Sequence, residues 1–179
     1  MDAAGGKPNS KNATVSDVKT GETISFTRLD DAMPWPVGRE ALASPHIPGF
    51  APFDELSRYE LKVVNLKASK YAIAIDGISI GTFSNAELAN GINLSAQASP
   101  AMHEGEKLFN AILAKNSLYH LLWYDVKIGQ LPDWVPLEAV AEARAAKVKA
   151  LEADLEKAEA TLDSLRQPQA HRWTLTPAP

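Results

Sequence analysis

Two adjacent carboxylates, Asp30 and Asp31, lie just ahead of the segment MPWP at residues 33–36. Carboxylates accept hydrogen bonds from sugar hydroxyls, and an indole ring offers an apolar face with a polar edge. This spacing is therefore typical of a surface that binds a sugar or a partner protein. A simpler interpretation is also open, in which an aspartate caps a turn and Trp35 packs beneath the prolines. Asp30, Asp31 and Trp35 are candidate binding residues.

The histidines offer little metal or acid–base chemistry. The chain contains His46, His103, His120 and His171, and no pair has the spacing of an HExxH helix. We predict that they are structural or surface residues, except for His46, which lies in a proline-rich segment and is the fourth candidate binding residue. Cysteine is absent and no glycine-rich phosphate loop is present. The sequence thus predicts neither a metal nor a cofactor.

The sequence also lacks the residue pattern of a serine hydrolase. Such an enzyme needs a serine on a sharp turn, an oxyanion hole and a His–Asp pair. Gly77-Ile78-Ser79-Ile80-Gly81 matches GxSxG, but it lies in the predicted hairpin and not on a strand-to-helix turn, so no nucleophile elbow is present. Ser79 falls in a predicted hairpin strand where nothing would activate it, and the nearness of Ser44 to His46 follows no geometric rule. We therefore predict no catalytic residue.

Composition excludes several classes of partner. The 179 residues carry a net charge of −4 without any block of Lys and Arg, which argues against nucleic acid. No apolar run approaches the roughly 20 residues that span a bilayer. Residues 1–13 lack the hydrophobic core of a signal peptide and are predicted to form a flexible leader. The cellular location stays open.

Alternating apolar residues predict a small antiparallel sheet. Residues 14–29 alternate around a turn at 20–22, which indicates two short strands. Five prolines between residues 30 and 56 exclude a helix or a central strand and predict a long loop. A strand with one solvent-exposed face is predicted at residues 59–63.

The firmest predicted element is a β-hairpin around Asp76-Gly77, a pair that supplies the two positive-φ positions of a type I′ turn. A slip of one residue would turn every side chain to the opposite face, so the register is well specified. The predicted partners across the hairpin are Ile75 and Ile78, Ile73 and Ile80, and Tyr71 and Thr82.

Helix starts are marked by capping residues. Ser84 and Glu87 form a capping box that opens a short helix ending near Gly91. A serine–proline pair opens a longer helix over residues 99–126.

Apolar residues at heptad spacing predict a last helix over residues 136–166, interrupted at one seam position by Arg144. The seam either packs on the helix 99–126 as an intramolecular hairpin, which a short connection favours, or forms a self-association surface through residues 141–165. For the hairpin, the expected partners on the first helix are Leu108, Ile112, Tyr119 and Trp123.

These elements predict an α+β fold with a small, mainly antiparallel sheet and a long helical hairpin. The expected organisation is a leader at 1–13, a β-rich subdomain with the proline-rich loop at 14–97, and a helical hairpin with a C-terminal tail at 98–179. In that tail, Trp173 and Leu175 are expected to bury their side chains on one face of a docked, extended segment.

Four stretches carry a family resemblance: FTRLDDAMPWP, YELKVVNLKASKYAIAIDGISIGTFSNAELANGINL, AKNSLYHLLW and the closing heptad helix. Together they resemble the C-terminal part of bacterial secreted GDSL/SGNH-type hydrolases, over most of residues 14–175. In that family an α/β/α hydrolase domain precedes this region and carries the catalytic serine in a GDS-type block and a late Asp-x-x-His block. Neither block occurs here, so the resemblance implies an accessory region and transfers no catalytic residue.

Two functions follow as hypotheses. The chain is an accessory domain that assists a GDSL/SGNH hydrolase domain in binding a carbohydrate or ester substrate, or in assembly. Alternatively, it is a free-standing module that binds protein or carbohydrate through the Pro/Trp loop or the heptad helix. The resembled family is typically exported, whereas this chain shows no signal peptide.

Overall fold

The structure, a computed structural model, describes residues 1–36 and 57–179, apart from the side chain of Asp125. It forms two compact units, Met1–Glu106 with Gln167–Pro179, and Lys107–Arg166. The predicted α+β class is confirmed. The elements in chain order are β1 Ala13–Lys19, β2 Ile24–Asp30, β3 Glu60–Leu61, β4 Lys70–Ile75, β5 Ile78–Ser84, α1 Asn85–Asn90, β6 Ile92–Asn93, α2 Pro100–His120, a π-helix Leu121–Lys127, α3 Leu137–Leu165 and β7 Ala170–Ala178.

The first unit is built on a five-stranded antiparallel sheet in the order β1-β2-β7-β4-β5. Its central strand, β7, is the last element of the chain. The predicted burial of Trp173 and Leu175 is confirmed, because both side chains are completely buried. Since β7 pairs with β2 and β4, the C-terminal tail belongs with the sheet rather than with the helical hairpin to which the sequence assigned it.

The β4–β5 hairpin turns at Asp76 and Gly77, whose φ angles are 50° and 80°. Ile75 pairs with Ile78 as predicted. Ala74 and Ser79 keep this register, and beyond them it shifts, so that Ile73 lies opposite Gly81 rather than Ile80. The extra residue forms a β-bulge, so the predicted pairs farther from the turn are wrong by one position.

The sheet core forms where inward-facing residues of three neighbouring strands meet. Phe26 of β2 stacks on Trp173 of β7, with ring centroids 5.7 Å apart. Leu88 of α1 belongs to the same buried cluster. Ser84 and Glu87 form the predicted capping box that starts this helix. The remaining buried members include Ile24, Tyr71, Ile73, Ile75, Leu94, Met102 and Leu175.

The first residues of the chain, predicted as part of a flexible leader, are docked in the structure. The Met1 amine donates to the Lys62 carbonyl at 2.7 Å. The Ala3 amide donates to the Val64 carbonyl at 3.0 Å. Met1 and Ala3 also pack against the core. These backbone bonds hold the segment beside residues 62–64.

The second unit is a helical hairpin, the intramolecular arrangement that the sequence favoured. Leu122 and Val126 of the π-helix pack on Leu151 and Leu155 of α3, with Leu118 and Val148 at the edge of this cluster. Salt bridges from Lys115 to Glu159 and from Lys127 to Glu152 connect the two helices. Of the expected partners, Ile112, Tyr119 and Trp123 are 39–50% exposed, so the hairpin uses a different face of the first helix.

Arg144, the charged residue in the seam, has a structural role. Its guanidinium donates to the carbonyls of Val126 and Lys127 at the end of the π-helix. In the π-helix the Ile128 amide bonds back to Trp123 at 2.8 Å, five residues earlier. The arginine therefore satisfies carbonyls that the end of a helix leaves without partners.

Candidate functional site

A cleft of about 630 Å³ opens beside the β1–β2 edge of the sheet unit. This volume lies within the range of small-molecule sites, about 300–1,000 Å³. Its walls come from the docked N-terminal segment, β2, the start of the proline-rich segment and the strand β3. The lining includes Lys11, Asn12, Val15, Phe26, Arg28, Asp30, Met33, Pro34, Arg58, Tyr59, Glu60 and Lys62.

Arg28 is at the centre of this wall. Strand alternation places it on the same face as Phe26, and it pairs across the sheet with His171 of β7. Its guanidinium lies 4.2 Å from the Tyr59 ring centroid and 5.6 Å from that of Trp173, so both aromatic faces stabilise the cation.

The charge of Arg28 is paired with Asp30 two residues later on the same strand. The guanidinium donates through Nε at 2.7 Å and Nη2 at 2.6 Å to Asp30 Oδ1. Nη1 donates to the Glu60 carbonyl at 3.2 Å. Because both side chains are almost buried, this pair links β2 to β3 in an environment where charges interact strongly.

Tyr59 completes the network. Its hydroxyl donates to Asp30 Oδ2 at 2.9 Å, and its ring packs 5.9 Å from that of Trp173. Burial is the main cause that raises the pKa of this phenol well above its ordinary value. Arg28 opposes the shift, whereas the Asp30 carboxylate adds to it. Tyr59 thus stays a neutral donor to Asp30.

This network is a rigid floor for the cleft. Both carboxylate oxygens of Asp30 are bonded within the protein, so the carboxylate has little capacity left for a ligand. Exposed lining residues such as Lys11, Glu60 and Lys62 remain accessible at the rim. The cleft therefore combines a fixed aromatic and charged floor with a polar edge.

The four residues that the sequence nominated are not brought together as a set. Asp30 lines the cleft and is 7% exposed. Asp31 is exposed, and its amide donates to the Asn12 carbonyl at 3.0 Å. Trp35 is 70% exposed, and neither it nor Asp31 lines the cleft. His46 lies outside the described residues.

Sequence reasoning missed Arg28, Tyr59 and Trp173 as members of one site. A signal was present, because Arg28 follows Ile24 and Phe26 at the inward parity of β2. A charged residue at an inward position of a strand needs a partner. Which aromatic rings would surround it depends on β7, which lies about 140 residues farther along the chain.

A second polar cluster surrounds His171, which is 5% exposed. Its Nδ1 lies 2.7 Å from Asp76 Oδ2, and its Nε2 lies 3.6 Å from Glu104 Oε2. Asp76 Oδ1 also accepts from the Arg172 amide at 2.7 Å. Within the described part of the chain, no serine hydroxyl hydrogen-bonds to either ring nitrogen. The cluster ties the hairpin turn to β7 and contains no His-activated nucleophile.

Residues 1–36 and 57–179 contain neither a metal-binding cluster nor a membrane-spanning helix. No three His, Asp or Glu side chains there converge closely enough to hold a metal ion. In the same ranges, no helix has both the length and the apolar character needed to cross a bilayer.

Comparison with known proteins gives one informative likeness. The fold is similar to that of BT4096, a gut microbial diltiazem-metabolizing enzyme, with a TM-score of 0.73 and 20% sequence identity. The match covers 99% of this chain and 49% of that enzyme, so the chain spans about half the enzyme's length. No family model and no curated protein sequence matches the chain. At this identity the likeness establishes the fold alone.

Replacing Asp30 with Asn should destabilise the sheet unit by about 3 kcal/mol, because it leaves the nearly buried Arg28 guanidinium without its counter-ion. Asp31→Asn is the matched control and should change the free energy of unfolding by less than about 0.5 kcal/mol, since its side chain is exposed. Denaturant unfolding of both variants tests this. Equal stabilities would mean that the pair contributes nothing.

The raised pKa of Tyr59 predicts a loss of stability in alkali. An unfolded tyrosine loses its proton near pH 10, whereas burial keeps Tyr59 protonated in the folded protein. Below about pH 10 both states bind the proton, so the group adds no pH dependence there. Above it, the free energy of unfolding should fall by up to about 1.4 kcal/mol per pH unit from this group.

Denaturant unfolding from neutral pH into alkali measures this slope, and a comparison with Tyr59→Phe assigns it to this residue. Tyr59→Phe should be less stable at neutral pH, because Asp30 loses a donor, but it should lack the Tyr59 part of the alkaline slope. An identical slope in both proteins would contradict the assignment.

Proposed function

We propose that this chain is a non-catalytic accessory region that works with a GDSL/SGNH-type hydrolase domain, either in substrate binding or in assembly. The observation that carries the proposal is the coverage of the structural likeness, which takes in 99% of this chain but only 49% of a diltiazem-metabolizing enzyme. A region that accounts for about half of an enzyme is expected to support the other half. The resemblance of FTRLDDAMPWP and the IDG hairpin to hydrolase C-terminal regions supports the same role.

The chemistry of the described residues supports a binding role. His171 has carboxylates on both sides and no serine, so it lacks the partner that acyl transfer requires. Arg28, Asp30 and Tyr59 satisfy one another, and such saturated networks hold a shape rather than exchange protons.

The start of the proline-rich segment is held firmly enough to present side chains. Gly105 of α2 is buried against it, and a Cβ at this position would lie 2.7 Å from the Pro34 carbonyl oxygen. Only glycine allows this approach without displacing the backbone. Trp35 therefore follows an anchored residue, which reduces the entropy lost when it binds a ligand.

The isolated chain should show no hydrolysis of p-nitrophenyl acetate or of diltiazem above the buffer rate, because residues 1–36 and 57–179 contain no serine hydrogen-bonded to a histidine. A GDSL-type hydrolase encoded immediately upstream, in frame or broken, should form a complex with the chain and gain activity or solubility from it. Turnover by the chain alone that a single serine-to-alanine change abolishes would refute the non-catalytic role. A neighbourhood without any hydrolase, together with a chain that does not bind one, would refute the accessory role.

A second candidate is a free-standing carbohydrate-binding module, and the 70% exposure of Trp35 favours it. An exposed indole beside Asp31 would stack on a sugar ring while the carboxylate accepts hydroxyl donors. Trp35→Ala should weaken binding to a neutral glycan at least about tenfold, as expected for an aromatic anchor.

Trp134→Ala is the matched control, since Trp134 is 82% exposed in the other unit and should not contribute to sugar binding. A glycan array with the unchanged chain, followed by calorimetry on the variants, measures the effect. An equal loss in both variants, or no glycan bound by the unchanged chain, would exclude this candidate.

A further inference from the structure

The helical unit has a core too small for its length. Among the described side chains of Lys107–Arg166, four apolar ones are buried, and all lie where the two helices face each other: Leu122, Val126, Leu151 and Leu155. Cores of this size rarely stabilise a fold by themselves, and natural helical hairpins often gain stability by assembling.

A second apolar face lies on the same helix. Ile112, Tyr119 and Trp123 are 39%, 43% and 50% exposed. At 3.6 residues per turn, Ile112 and Tyr119 lie roughly 100° around α2 from Leu118, and Trp123 continues their face one turn later. We call these three residues the outer stripe. Helices of a four-helix bundle bury two such neighbouring faces, one against each adjacent helix.

The outer stripe is also free of formal charge. Between Leu108 and Tyr124 the only charged side chain is Lys115, and its ammonium is bound to Glu159 at 2.6 Å. Lys115 and Lys127 contact the edges of the stripe, where they lie over the Tyr119 and Trp123 rings at 5.7 and 5.1 Å. Because both ammonium groups are paired with glutamates of α3, the stripe can meet its own copy without net like-charge repulsion.

The exposed area is a substantial part of what a dimer requires. An aromatic side chain contributes about 150–250 Å² when fully buried, so the exposed parts of Tyr119 and Trp123 supply roughly 200 Å². Ile112 adds to this. A standard interface buries about 800 Å² per partner, of which roughly 60% is apolar. The stripe thus provides about half of the apolar area of one such interface.

We propose that the outer stripe is a homodimer interface, in which the helical hairpins of two copies pack about a two-fold axis into a four-helix bundle. The interface is isologous, because the same stripe from each copy meets its twin. It differs from self-association through residues 141–165, since that seam already packs inside the chain on Leu122 and Val126. The inference does not depend on the proposed accessory role.

Sedimentation equilibrium of the full chain over a wide concentration range tests the proposal and should show a monomer–dimer equilibrium. Trp123→Lys and Ile112→Lys should each raise the dissociation constant at least about tenfold, because a charge would be buried without a partner. Ala153→Lys is the matched control on an exposed face of α3 and should leave the dimer intact. Circular dichroism should show an unchanged helix content in all three variants.

The absence of cysteine allows a direct distance measurement. A spin label on Asn116→Cys, within the stripe, should report a short distance between copies that dilution with unlabelled protein removes, whereas a label on Ala153→Cys should not. A chain that is monomeric at every concentration would overturn the proposal, as would a dimer that both lysine variants in the stripe leave unchanged. A monomeric chain whose binding to a hydrolase domain is abolished by Trp123→Lys would overturn it as well. That result would make the stripe the contact surface for the hydrolase domain instead.

Discussion

The position of the C-terminal strand β7 at the centre of the sheet is the constraint on which the rest of the first unit depends. Without β7, the β1–β2 pair and the β4–β5 hairpin have no shared hydrogen bonds, because each bonds to β7 and not to the other. Trp173 lies at the middle of this strand and is completely buried against Phe26 and Tyr59. The sheet therefore closes only after the last residues of the chain are in place, which makes its contacts strongly non-local.

The candidate site is a consequence of that closure. Arg28 enters the inward face of β2, where the Trp173 ring of β7 and the Tyr59 ring cover it. Burying this cation is tolerable because Asp30 pairs with it and Tyr59 donates to the same carboxylate. A saturated network of this kind specifies one arrangement of β2, β3 and β7, and the cleft beside it inherits that rigidity. The side chains that a ligand can reach lie at the rim of the cleft.

The helical unit is held together differently, by contacts between helices that follow each other in the chain. Its two helices are close in sequence and pack through one narrow seam, and Arg144 donates to the carbonyls at the end of the π-helix. The apolar residues of the first helix exceed what that seam can cover. Among the described residues, this helix leaves a second apolar face exposed, the face proposed above as a dimer interface.

The sequence by itself determined the elements whose causes are local. The Asp76-Gly77 turn, the Ser84–Glu87 capping box and the start of α2 after Ser99 follow from backbone conformations and short-range hydrogen bonds. The strand alternation around Gly21 and the heptads of α3 also predicted the correct elements. The hydrophobic period of a strand or a helix does not depend on which element it packs against.

Only the tertiary structure decided which faces meet. It set the bulge that shifts Ile73 from Ile80 to Gly81, and it chose Leu122 and Val126 over Tyr119 and Trp123 for the hairpin seam. It also brought Arg28, Tyr59 and Trp173 together from three distant segments. The physical reason is the same in each case: these choices depend on the summed burial of residues far apart in the chain, and no local propensity records that sum.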